Sequence, residues 1–428
     1  MGAVSRRKFG VLVASGLAAV LLDACNKSGK SASPASSAGS PGQLPTSSAV
    51  ASTTAPPPVS PAVLALDPTN GAAAVSPAHP VTVTAGGGTI DGVTLLSSSG
   101  ASVPGVLSAD KTTWTASQPL GYQRSYTLTA KAVNSAGVPA TSTAAFNTLK
   151  PDNMTQPALN TRGGGTLTNG ATYGVGMVVR VHFDEQIKDK AAAERALIVT
   201  TTPAVEGSWF WLDSQNVLWR PQNYYTPGTV VSVTAKVYGV EVGPGLYGQS
   251  DVSASFTIGQ KQVSIADDTT HQVSVYFNDV LQRTMPTSMG KGGYATGSSG
   301  QQISFFTPSG IYTVLDKSNP VLMSSASYGL PINGPGGYSE LINWATRIST
   351  DGIYLHQLNS TVWAQGSRDL SHGCLNLNYD NATWFYNTSQ VGDPVEVQHT
   401  GGAPLALWQN GDWSLPWAQW TAGSALNG

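Results

Sequence analysis

Tyr126-Thr127-Leu128-Thr129-Ala130-Lys131-Ala132-Val133 alternates polar and apolar side chains, and Val230-Val231-Ser232-Val233-Thr234-Ala235-Lys236-Val237 follows the same pattern. A period of two marks a strand with one buried face. Thr129-Ala130-Lys131 and Thr234-Ala235-Lys236 stand 105 residues apart, the spacing that also separates Trp114 from Trp219, and no gap is needed between these anchors. The chain therefore repeats one module. Further short strands are predicted at residues 81–84, 178–183 and 254–258, separated by turns of Gly, Pro, Asn and Ser. Many short strands at this spacing predict a β-sandwich of about 100 residues per copy. The boundaries that follow are 62–150 for the first module and 151–260 for the second. One helical exception is expected over 189–197, where Asp189 can cap an Ala-rich turn. Neither module holds a cysteine or a clustered set of His and carboxylates, and the isolated His79 and His182 read as structural. The modules read as spacers or binding modules rather than as chemistry.

Outside the repeat, composition narrows the classes. A chain of 428 residues accommodates two to four domains. With 22 basic and 24 acidic residues the net charge is −2, which excludes a basic face large enough for nucleic acid. Two cysteines exclude a disulfide scaffold and a four-thiolate zinc site. Ser5-Arg6-Arg7-Lys8-Phe9 followed by an uncharged apolar stretch over 10–22 reads as a twin-arginine export signal, too short to span a bilayer. Leu22-Asp23-Ala24-Cys25 resembles a lipobox, with Asp23 the departure, so residues 1–25 are expected to be a signal peptide and Cys25 the lipidated anchor. The protein is then expected on the outer face of the membrane and in the cell wall. Residues 26–61 are rich in Ser, Ala, Pro and Thr, lack the apolar bulk to offset ordering entropy, and read as a disordered tether.

The chemistry lies in the last third, residues 261–398. It opens with two strand patterns, Val263-Ser264-Ile265-Ala266 and Gln272-Val273-Ser274-Val275-Tyr276-Phe277, and a turn at Asn278-Asp279. Further on, His356 ends a strand pattern begun at Gly352, and 14 residues later comes Ser371-His372-Gly373-Cys374-Leu375-Asn376. A thiol attacks only as thiolate and needs a base or a positive environment, for which His356 and His372 are the candidates. Gly373 allows close backbone approach and leaves the Gly373 and Cys374 N–H groups to face an oxyanion. If His356 and Cys374 meet, imidazolium is expected to lower the thiol pKa and the thiolate to raise the imidazole pKa. The six histidines are too scattered in sequence to suggest a metal site, and no cofactor is implied.

The pattern His-x14-Ser-His-Gly-Cys-x-Asn resembles the signature of L,D-transpeptidases, the YkuD-type enzymes that cross-link peptidoglycan. The resemblance runs through Met285-Pro286-Thr287-Ser288-Met289-Gly290-Lys291, Tyr328-Gly329, Gly337-Tyr338, Asn343-Trp344-Ala345, Ala364-Gln365-Gly366 and Asp412-Trp413. With two preceding modules and an exported start, the chain is similar to mycobacterial members. The fold this implies is mainly β: two tandem Ig-like sandwiches, a YkuD-type catalytic domain and a short C-terminal extension over 399–428. The resemblance further implies Cys374 as nucleophile and His356 as base, oriented by the backbone carbonyl of Gln357. His372, Gly373 and Cys374 would supply oxyanion N–H groups, a direct role for His372 and a structural one both remaining open. Met323 and Tyr338 on a flap, with Tyr328, Asp351, Gly352 and Asn376, would contact a stem peptide. Partners so implied are peptidoglycan stems and β-lactams of the carbapenem type, with L,D-carboxypeptidase activity or a non-catalytic wall-binding role as alternatives. Close relatives carry Trp in the loop after the base, where this chain has Ser360. A sortase would need an Arg downstream of its cysteine, and neither Arg nor Lys follows Cys374. The tail tryptophans Trp408, Trp413, Trp417 and Trp420 are expected to pack rather than to stack on glycan.

Overall fold

A computed structural model describes residues 60–427. The expected signal segment with Cys25, and the tether as far as residue 59, lie outside the described residues.

Each repeat is built on a pair of packed, mainly antiparallel sheets. In the first, a four-stranded sheet in the order Val63–Asp67, Thr82–Gly86, Thr113–Ala116, Gly105–Leu107 faces the three strands Gly88–Ser97, Ser125–Asn134 and Pro139–Asn147. Tyr126, Leu128, Ala130 and Ala132, the apolar half of the alternation, are all buried. In the second, Val230–Ala235 lies between Leu197–Thr202 and Val252–Ile258, opposite a sheet built on Val179–Phe183 and Asn216–Pro221. Asp189 caps the helix Lys190–Arg195 through a 2.8 Å bond from the Ala192 N–H, and Leu197 already belongs to the next strand.

The tryptophan repeat has a physical basis. Gly105 pairs with Ala116 and Gly207 with Pro221, in each case two residues beyond the module's tryptophan. A Cβ at Gly105 would lie 2.1 Å from the Trp114 ring, and one at Gly207 would lie 2.1 Å from the Trp219 ring. In both copies the indole lies across a neighbouring strand that can only be glycine there.

The catalytic domain begins with a five-stranded sheet, ordered Val280–Pro286, Gln272–Phe277, Gln262–Asp267, Pro394–Gln398, Gly310–Thr313. Asn278 and Asp279 both take positive φ (49° and 66°), the conformation a tight hairpin turn demands and these residue types tolerate. A second sheet, ordered Asp316–Ser318, Ala345–Arg347, Tyr354–Gln357, Leu375–Leu377, packs into the same core through Leu355, Leu375 and Leu377. Its last two strands run parallel, with Leu355 opposite Leu375 and His356 opposite Asn376. A hairpin of Val321–Ser324 and Ser339–Ile342 stands apart from both sheets.

The tail docks on the second sandwich. The Arg220 guanidinium lies 4.6 Å from the rings of Trp413 and Trp420 and 5.3 Å from that of Trp417. Beside it, buried Arg162 donates from Nε to Asp412 at 2.7 Å. Breaking a buried pair of this kind costs about 3–5 kcal/mol, because the remaining charge is left without a partner. Three of the four tryptophans therefore pack, as expected. Trp408 differs: it is 58% exposed.

Candidate active site

The parallel register decides the geometry around the cysteine. With His356 opposite Asn376, residues two apart along each strand share a face, so His356, Asn376 and Cys374 project to one side of the sheet. All three line a cavity of about 600 Å³. Met323, Tyr328, Tyr338, Asp351, Gly352, His372 and Gly373 line it too, so every catalytic or substrate-binding residue expected from the sequence reaches one cavity.

The loop bearing Cys374 is clamped by the segment Thr287-Ser288-Met289-Gly290-Lys291. Ser288 bridges to Asn376 and Gly290 to Ser371, so both ends of the loop are tied to one stretch. Ser371 N–H donates to Met289 O (2.9 Å) and Lys291 N–H to Ser371 O (2.9 Å). Thr307 Oγ1 donates to the Gly373 carbonyl at 2.8 Å and accepts from Gly290 N–H at 3.0 Å. Gly373 sits at φ 135°, where L side chains are rare, while a Cβ there would meet nothing closer than 3.7 Å. Backbone conformation, not crowding, requires the glycine. The expected freedom of its N–H is corrected: Gly373 N–H donates to Ser371 Oγ at 2.9 Å, which fixes the turn.

His356 is 4% exposed, and its Nδ1 lies 3.0 Å from the Gln357 carbonyl. A carbonyl only accepts, so Nδ1 carries the proton and Nε2 is the basic nitrogen. Burial pushes the His356 pKa down to about 4, against a smaller opposing effect of the Gln357 hydrogen bond. Burial also pushes the Cys374 thiol up to about 11, opposed in part by the Tyr354 N–H facing the sulfur. Both shifts run against the charged thiolate–imidazolium pair expected from the motif. Desolvation opposes both charged forms, and the sulfur's hydrogen bond goes to Gly352 O at 3.7 Å.

The walls come from distant parts of the chain. Met323 is buried in the flap hairpin, Tyr328 ends the turn Ser325–Tyr328, and burial raises both the Tyr328 and Tyr338 hydroxyl pKa values. Those hydroxyls remain neutral hydrogen-bonding groups. Asp351 accepts from Gln409 Nε2 at 2.6 Å, and Trp408 O accepts from Thr350 Oγ1 at 2.7 Å, so the tail completes the cavity opposite the sequence motif. Asn376 is 1% exposed, and its Oδ1 is buried without a hydrogen-bond partner among the described residues. Sequence reasoning missed Phe306, Thr307, Trp408 and Gln409, which no local pattern connects to Cys374. It also missed that Asp268, His271 and Asp369 bring their ligand-type atoms within 4.8 Å of one another. There burial, then the neighbouring Asp369 carboxyl, raises the Asp268 pKa to about 7, and Asp369 accepts from Met289 N–H at 2.6 Å.

A basic imidazole nitrogen on one strand and a thiol just ahead of the parallel strand beside it, within one walled cavity, fit a cysteine acyltransferase site. Residues 261–397 match the L,D-transpeptidase catalytic domain (YkuD), and residues 72–241 match a bacterial Ig domain. The chain is 40% identical over 358 residues to L,D-transpeptidase 2 of Mycobacterium tuberculosis (strain CDC 1551 / Oshkosh), covering 83% of each protein. It is 36% identical over 371 residues to L,D-transpeptidase 5 of M. tuberculosis (strain H37Rv), covering 85% of this chain and 77% of that one. A crystal structure of L,D-transpeptidase 3 from M. tuberculosis in complex with a faropenem-derived adduct is 32% identical, with a TM-score of 0.45, covering 54% of this chain and 95% of that one. The chain belongs to the L,D-transpeptidase family.

Proposed function

We propose that the protein forms 3→3 cross-links between peptidoglycan stem peptides through a thioester on Cys374. The sulfur attacks the diaminopimelate carbonyl of a tetrapeptide stem while its proton passes to Nε2 of His356. The bond to the terminal D-alanine breaks, and the D-alanine amine leaves with that proton. A side-chain amine of a second stem then attacks the thioester and gives its proton to His356, which returns it to the departing sulfur. The observation that carries this reading is His356, with Nδ1 held by the Gln357 carbonyl and Nε2 left basic, in the same cavity as Cys374. The unpartnered Asn376 Oδ1 supports it, because a buried acceptor there suits a substrate N–H.

Product analysis of the purified protein with a disaccharide-tetrapeptide tests the reaction. A dimer lacking one D-alanine is expected. Tripeptide alone, with acceptor amine in excess, would instead make water the acceptor and the protein a carboxypeptidase; absence of any product would leave a wall-binding role.

Export by the twin-arginine signal and anchoring at Cys25 are part of the same proposal. Cys25→Ala is expected to move the protein from the membrane fraction to the soluble one; unchanged fractionation would remove the anchor from this account.

A further inference from the structure

The loop that carries Cys374 holds a second histidine whose surroundings the acyl-transfer steps leave unused. His372 Nε2 lies 3.1 Å from Lys291 Nζ, and its Nδ1 lies 3.3 Å from the Tyr328 hydroxyl. The ring stacks on Phe305 with centroids 4.3 Å apart and an interplanar angle of 27°, and Tyr338 approaches to 5.5 Å. Lys291 Nζ stands over that same Phe305 ring, 4.7 Å from its centroid, while the Lys291 N–H donates to Ser371 O at 2.9 Å. Lysine, phenylalanine and imidazole thus restrain one another beside the nucleophile.

The hydrogen-bond inventory fixes the ring's state. An ammonium only donates, so Nε2 must accept and carries no hydrogen. Burial, and then the Lys291 charge, pushes the His372 pKa down to about 4, so the ring is neutral and its single proton sits on Nδ1. Nδ1–H therefore donates to the Tyr328 oxygen, and the Tyr328 hydroxyl proton is left for a different acceptor. Free histidine prefers the other tautomer, with the proton on Nε2; that form would set two donors, Nε2–H and the ammonium, against each other.

We propose that Lys291 is a positioning residue that fixes the Nδ1–H tautomer of His372 and, through it and Tyr328, latches the flap to the loop of Cys374. The latch joins Lys291 at the end of the clamp segment, His372 two residues before the sulfur, and Tyr328 in the flap turn. It gives His372 a role in ordering the cavity wall rather than in moving the reacting proton.

Full-length protein labelled with 15N-histidine, read by long-range 1H–15N correlation, tests this directly. The unsubstituted protein is expected to show an unprotonated Nε2 and a protonated Nδ1 at His372. Lys291→Met is expected to shift the ring towards Nε2–H and to slow acylation by a carbapenem about tenfold, the scale of one lost hydrogen bond. Lys291→Arg, also a donor without acceptors, is expected to keep the tautomer and most of the rate. A protonated Nε2 in the unsubstituted protein, or an Nδ1–H tautomer retained in Lys291→Met, overturns the proposal. The rate measurement rests on the acyl-transfer reading and the tautomer does not, so the two can fail separately.

Discussion

Cys374→Ala is expected to abolish both cross-link formation and the carbapenem adduct seen by intact mass. Cys374 is the free cysteine of the described residues, so no second thiol among them can take over the acyl group. Cys374→Ser is expected to be nearly as inactive. A hydroxyl is far less acidic than a thiol, and a His356 held at a pKa of about 4 is too weak a base to activate it. The fold should persist, because a half-buried cysteine contributes about 1 kcal/mol or less, within the range of ordinary substitutions. An unchanged thermal transition together with a silent mass spectrum is the expected pair of results. An adduct of normal mass in Cys374→Ala would place the nucleophile elsewhere and end the assignment.

How much of this could be read from the chain depends on the range over which each signal acts. The alternation in 125–134 and 230–235 is local, and the burial of every second residue follows from it. The glycine–tryptophan repeat was only half legible. Trp114 and Trp219 announce it, but Gly105 and Gly207 gain their meaning only when neighbouring strands bring them beneath the indoles. The Cys374 motif suggests a nucleophile and a base, yet nothing in it reveals that the strand carrying His356 and the one opening after Cys374 are parallel neighbours in one sheet. That adjacency arises because the intervening 17 residues leave one strand and return in the same direction. Gln409 and Trp408 lie beyond any pattern, since a tail fastened by Arg162 and Arg220 delivers them to the cavity. The protonation states lie beyond the motif for a related reason. A motif brings a thiol and an imidazole close but does not say how deeply each is buried, and depth is what decides between a charged and a neutral pair.

The replacement of His356 separates those two descriptions. If the resting pair were charged, the imidazolium would hold the thiol below a free cysteine's pKa of about 8.5, and His356→Gln would move alkylation of Cys374 to higher pH. In the neutral pair the thiol is displaced upward instead, so the thiolate is scarce at neutral pH. Iodoacetamide labelling of the native protein is then expected to lag behind a free thiol and to climb through the alkaline range. Removing the imidazole should leave that profile almost in place, because no charge is lost with it. Acylation by substrate or carbapenem should nonetheless fall by about 10²-fold or more, the scale of a missing general base. The pH dependence carries the same sign. His356 accepts a proton only when unprotonated, so acylation should rise as pH passes upward through about 4 and stay level across neutrality. A charged pair would instead lose activity as the thiolate became protonated below its lowered pKa, with labelling and acylation falling together. Parallel loss of both in His356→Gln, or early labelling of the native thiol, would restore the charged pair. Labelling that stands still while acylation collapses means that the imidazole acts at the moment of attack, when the substrate carbonyl gives the sulfur's electrons somewhere to go.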